Sequence, residues 1–114
     1  MINRKLQRTN SDIMRIITIA LRDAKSSTLA SVSVLNVDTS SDFAFARLSV
    51  EISGTDAEKQ NIFTELEKAS GFLRNEIAKN VRMRVTPQLR FILDKGRENA
   101  ERVEELLSQI KKVN

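Results

Sequence analysis

Between Arg4 and Arg22, Leu6, Asn10, Ile13, Ile17 and Ala20 recur at three- or four-residue spacing, flanked by Met14 and Leu21. Polar residues fill the gaps, so the spacing predicts an amphipathic first helix. Ser26-Ser27-Thr28 then makes a polar break. The valine-rich run from Leu29 to Val37 reads as a first strand leading into the turn cluster Asp38-Thr39-Ser40-Ser41-Asp42. Beyond the turn the period is two. Ala44, Ala46, Leu48, Val50 and Ile52 share one face of a second strand, and Phe43, Phe45, Arg47, Ser49 and Glu51 share the other. Gly54-Thr55-Asp56 ends the hairpin and caps a long helix whose apolar stripe is Ile62, Leu66, Ala69, Leu73 and Ile77.

The helix has to stop before Pro87, which lacks an amide hydrogen and drives Thr86 into extended geometry. After Pro87 a third strand is predicted, with Leu89, Phe91 and Leu93 towards a core and Arg90 and Ile92 opposite. It is entered from the basic loop Arg82-Met83-Arg84-Val85. A final helix from about Glu98 carries Ala100, Val103, Leu106, Leu107 and Ile110 and ends in Lys111 and Lys112, cations at the favourable end of its dipole. The predicted class is α+β, with no repeat and no linker-length gap.

Composition narrows the chemistry. A chain of 114 residues that is 40% hydrophobic is expected to form one domain over 1–114 without covalent staples. There is no cysteine and no histidine, which excludes thiol nucleophiles, imidazole bases and zinc sites of the Cys/His type. The 15 acids are scattered, with no pair isolated in an apolar setting, so no enzyme, no cofactor and no small-molecule substrate are expected. Apolar runs are too short to cross a bilayer, and Met1-Ile2-Asn3-Arg4-Lys5 lacks a secretion-signal core; a cytoplasmic location away from membranes is expected.

The net charge of +4 is unevenly spread. Residues 1–25 hold six Lys or Arg against two acids and residues 65–97 hold eight against four, whereas 26–64 hold two against five. Two basic blocks suit a polyanion, but a charge of this size taken alone more commonly marks an ordinary solvated surface. Two further features bear on function. Ala69-Ser70-Gly71 interrupts the long helix, where glycine either packs closely or permits a break whose fresh amino end, flanked by Lys68 and Arg74, attracts phosphate. Phe43 and Phe45 beside Arg47 have the composition of a base-stacking platform, but aromatics on such a strand more commonly lie beneath a helix, and that placement is the expectation here.

Together these motifs resemble the ribosome-binding factor A family, bacterial and organellar assembly factors of the small ribosomal subunit. The likeness rests on the element order, on Ala69-Ser70-Gly71 followed by Phe72-Leu73-Arg74, and on Arg82 to Phe91 with Asp94. The hairpin adds Val37, Ser40, Asp42-Phe43 and Ala46-Arg47-Leu48-Ser49-Val50. It spans roughly Val32 to Leu107. The resemblance implies a KH-type fold of the second type, three strands with helices on one face in the order α-β-β-α-(kink)-α-β-α, and an Ala-x-Gly kink in place of the usual Gly-x-x-Gly loop. It further implies binding to free small subunits and their ribosomal RNA in late maturation and rRNA processing, near the decoding region, with a link to growth in the cold. The chain departs from the family pattern at Asp23-Ala24-Lys25, which lacks the usual proline, and at Gly96, where serine is common.

On that basis Arg74, Lys79, Arg82, Arg84 and Arg90 are candidates for RNA phosphate contacts, Lys68, Ser70 and Gly71 for shaping the kink, and Arg4, Lys5 and Arg8 for extending the surface. A monomer is expected. The alternative is a small protein-interaction domain, a homodimer or regulatory subunit, pairing through its sheet or through a last helix made acidic by Glu101, Glu104 and Glu105.

Overall fold

The computed structural model describes residues 4–94. In chain order they form α1 (Arg4–Arg22), α2 (Ser27–Ala30), β1 (Ser33–Thr39), β2 (Phe45–Glu51), α3 (Asp56–Lys68), α4 (Ser70–Asn80) and β3 (Gln88–Leu93). The helix predicted from Glu98 lies outside the described residues.

The first helix forms where its stripe predicts, burying Ile13, Ile16, Ile17 and Leu21. The valine-rich run behaves differently at its start. Ser26 accepts the Leu29 amide at 3.3 Å through Oγ and donates to Glu65 Oε1 at 2.8 Å, so it caps a single helical turn and ties that turn to α3. Leu29 and Ala30 are therefore helical, and the strand starts only at Ser33. Within β1 the register shifts between Val34 and Asn36; the extra residue lets Val34 and Val37 both point inward while Leu35 stays exposed.

β2 keeps the predicted period, with Ala46, Leu48 and Val50 fully buried. It is the central strand, antiparallel to β1 and parallel to β3 in the order β1-β2-β3. A parallel neighbour requires a crossover, which α3 and α4 supply. Leu89, Phe91 and Leu93 of β3 pack against the core as predicted. The described helices lie on one face, burying Leu66, Leu73 and Ile77 against α1 and the sheet. At about 1.5–3 kcal/mol for each fully buried large aliphatic, this single layer of side chains supplies most of the favourable free energy. The fold is α+β, a three-stranded mixed sheet with helices consistent with the expected KH-like fold, and it adds a one-turn helix after α1.

Thr55 caps α3, accepting the Glu58 amide at 3.2 Å and donating to Glu58 Oε1 at 3.0 Å. The apolar period passes from α3 into α4, but the helix breaks at Ala69. The Ala69 amide still donates to Glu65 and Leu66, and along α4 the Leu73 amide donates to the Ala69 carbonyl at 3.0 Å. Ala69 has no side-chain group with which to cap the new helix.

Candidate nucleic-acid interface

The parallel pairing of β2 and β3 positions the site. It sets Gln88 opposite Phe45, with the Gln88 amide on the Ala44 carbonyl at 2.9 Å, so the loop 81–87 arrives beside the turn that opens β2. The end of β1 is there as well, and Asn10 of α1 accepts the Thr39 amide through Oδ1 at 2.9 Å. Segments from opposite ends of the sequence thus meet at one edge. Between them is a cavity of about 270 Å³ lined by Lys5, Thr9, Asp42, Phe43, Arg82, Met83, Arg84 and Val85. Three cations, one acid and an aromatic ring form its polar and stacking surfaces.

The turn is tightly built. Ser40 donates from its hydroxyl to Asp42 Oδ1 at 2.7 Å, and that oxygen also accepts the Ala44 amide at 3.1 Å. The Phe45 amide donates to Ser40 Oγ at 3.0 Å, and Ser40 and Phe45 also pair through their backbones at 2.8 Å. The Ser40 hydroxyl, with the Ala44 amide second, holds the Asp42 carboxyl below its ordinary pKa. Phe43 has a φ of 61°, in the left-handed region. This breaks the alternation expected of Phe43 and Phe45. Phe43 lines the cleft against the start of α1, with Lys5 Nζ 5.6 Å from its ring centroid. Phe45 sits on the opposite face of the sheet, 37% exposed, with the Arg90 guanidinium 4.1 Å from its ring centroid. Phe45 is therefore not beneath a helix: the face β2 turns away from its core is covered by none of the described helices.

The candidate residues fall into five groups. Lys5, Arg82 and Arg84 converge on the cleft, with Arg4 and Arg8 exposed on the turns of α1 beside it. Arg74 leaves α4 to donate through Nη2 to the Thr86 carbonyl at 2.8 Å, beside a shallow hollow. Lys68, Ser70 and Gly71 surround the kink; a Cβ on Gly71 would meet nothing within 4 Å, so close packing is not what keeps glycine there. Arg90 stands opposite Arg47 on the open sheet face, away from the cleft. Lys79 faces Glu76 at 3.7 Å, a surface ion pair one turn apart. Sequence reasoning did not identify Thr9, Asp42 and Phe43 as cleft residues, although the Ser40-Ser41-Asp42 cluster marked the turn that carries two of them. Among the described residues no group of three or more acidic side chains could hold a metal ion, and no helix is long and apolar enough to cross a membrane.

Comparison with known proteins agrees with this architecture. The sequence model described as ribosome-binding factor A matches residues 5–107. A ribosome-binding factor A of Carboxydothermus hydrogenoformans is 35% identical over 109 residues, covering 95% of this chain and 87% of that protein. The crystal structure of ribosome-binding factor A from Thermus thermophilus superposes with a TM-score of 0.69 at 22% identity, covering 77% of this chain and 94% of the other. A Thermus thermophilus ribosome binding factor A fitted into the cryo-EM map of a complex with the 30S subunit aligns at a TM-score of 0.60 and 23% identity, over 73% and 88% of the two chains.

Proposed function

Because the chain belongs to the ribosome-binding factor A family, we propose that it is a ribosome assembly factor that binds the free small ribosomal subunit and its ribosomal RNA. The observation that carries this reading is the convergence of Lys5, Arg82 and Arg84 on one cleft, brought together by the parallel β2–β3 register. Cations so placed neutralise successive phosphates and release their counterions. Arg74 and the exposed amino end of α4 extend that surface past the kink, with Lys68, Ser70 and Gly71 leaving room for a phosphodiester backbone to approach. Arg4 and Arg8 widen it on the other side. Arg90 and Lys79 are secondary contacts, since one is stacked on Phe45 and the other is paired with Glu76.

The factor acts as a single-domain monomer in the cytoplasm, without catalysis or cofactor, during late maturation and rRNA processing. Mispaired RNA is harder to melt at low temperature, so its absence is felt most in the cold. The neighbour fitted into a 30S complex supports the choice of subunit. Sedimentation with isolated small subunits, large subunits and joined ribosomes across a salt series tests the reading. Selective co-migration with free small subunits, lost as salt rises and lost in the Arg82→Glu, Arg84→Glu variant, is expected. No preference for any particle at low salt, together with a stable oligomer in solution, would favour the protein-interaction alternative.

A further inference from the structure

We propose that the cleft between α1 and the 81–87 loop is a subsite for one unpaired nucleotide of single-stranded RNA, its base stacked on Phe43 and its flanking phosphates held by Lys5, Arg82 and Arg84. The proposal rests on the RNA-binding reading above and deepens it.

The backbone at Phe43 is strained. Phe43 holds a φ of 61°, a region in which bulky side chains are outliers and glycine or asparagine is at ease. The turn does not need an aromatic. Its closure is made by Ser40, Asp42 and the Ala44 and Phe45 amides, none of which involves the Phe43 side chain. Strain of this kind persists only where surrounding contacts enforce it, and it concentrates at ligand sites. Here it takes the ring off the alternating strand pattern and sets it in a cleft wall, half-buried.

The cleft also matches a single nucleotide in size and chemistry. A volume of about 270 Å³ lies just under the lower bound, ~300 Å³, of pockets that enclose whole drug-sized ligands, so it suits one planar group rather than a duplex. Lys5 Nζ lies 5.6 Å from the ring centroid, near the ~6 Å limit of a cation–π contact. Lys5 and Phe43 are thus loosely associated, and the long lysine side chain can swing to a phosphate when a base takes its place. Asp42 keeps its negative charge, which disfavours a purely acidic ligand. A basic rim around one aromatic is the pattern of single-strand binding, in which the aromatic contribution is independent of salt.

Phe43→Gly in the full chain is the informative variant, because glycine relieves the strained φ while removing the ring. Binding of a short fluorescent single-stranded RNA is measured by anisotropy across a salt series, alongside thermal unfolding, with Arg82→Gln, Arg84→Gln as the second variant. Phe43→Gly is expected to keep its unfolding temperature, to weaken binding about tenfold, in line with the loss of one base stack, and to leave the salt slope unchanged. The arginine variant is expected to flatten the salt slope. Titrating 5′-AMP into the wild type should shift the Phe43 ring protons upfield. Unchanged RNA affinity in Phe43→Gly, or equal competition by duplex RNA or polyglutamate, overturns the subsite. If in addition the arginine variant binds small subunits as the wild type does, the wider RNA-binding reading fails with it; if only the phenylalanine variant is silent, that reading stands alone.

Discussion

The Arg74 guanidinium donates through Nη2 to the Thr86 carbonyl at 2.8 Å, joining α4 to the residue before Pro87 at the far end of the basic loop. That bond uses one of the five guanidinium donors and leaves the others available to a phosphate. An exposed hydrogen bond of this kind contributes about 0.5–1.5 kcal/mol. Arg74→Ala is therefore expected to lower the unfolding temperature by only about 2–8 °C. Its larger effect should be faster amide exchange across 81–87. Arg74→Lys keeps the charge but lacks the planar fork, so it should retain salt-dependent subunit binding better than it retains loop protection. Hydrogen exchange that is the same in Arg74→Ala and the wild type would mean that the bond does not hold the loop.

Two glycines should respond in opposite ways to alanine. Gly71 is helical and open, with nothing within 4 Å of the position an alanine methyl would take, so Gly71→Ala should stabilise the fold by up to about 1 kcal/mol. If RNA backbone passes over this point, the same change should weaken small-subunit binding. Gly54 has a φ of 129°, and a Cβ there would lie 3.0 Å from Glu58 Oε2 and 3.1 Å from Glu58 Cβ. Gly54→Ala should cost about 1–3 kcal/mol without a specific effect on binding. Thermal melts paired with sedimentation separate the two; a stabilised Gly71→Ala that binds normally removes the kink from the interface.

What was legible in the sequence follows from which periods are long enough to be unambiguous. The stripe of α1 and the alternation of β2 each extend over several repeats, and both survive in the structure. One turn of helix at Ser27–Ala30 is too short to show a period, so valine-rich composition concealed it, although Ser26 was available as a cap signal. The bulge at Leu35 exists only relative to β2 and cannot be read from β1 alone. At the site, residue types were legible and their convergence was not. Lys5 meets Arg82 and Arg84 because β3 pairs parallel to β2, a long-range choice with no local signature. The pairing of Lys79 with Glu76 follows from helical spacing and was open to reading.

Asn10 occupies the inward stripe of α1 among aliphatic neighbours, and its Oδ1 accepts the Thr39 amide at 2.9 Å. The partner is a strand-end amide in a part-buried setting. Asn10→Leu fits the stripe better by hydropathy yet leaves that amide without its acceptor, at a cost of about 1–3 kcal/mol. Chemical denaturation should show a lower midpoint with an unchanged slope, since the surface exposed on unfolding stays the same. A midpoint equal to or above the wild type would assign Asn10 no role in fixing β1 to α1.

Asp42 links the stability of the turn to the electrostatics of the cleft. Its carboxyl is held below the ordinary value of 3.8, first by the Ser40 hydroxyl and then by the Ala44 amide. A folded-state pKa lower than the unfolded one means that the contribution is fully present above pH 3.8 and is lost as pH falls through the lowered folded value. The difference in denaturation midpoint between the wild type and Asp42→Asn should therefore be constant at neutral pH and close only in that acidic window, an effect kept small by exposure to solvent. At neutral pH Asp42 opposes the three cations of the cleft. Removing its charge should then strengthen small-subunit binding and steepen its salt dependence, even as the turn weakens. Weaker binding by Asp42→Asn at low salt, with the fold intact, would show instead that the carboxylate accepts a hydrogen bond from the bound RNA.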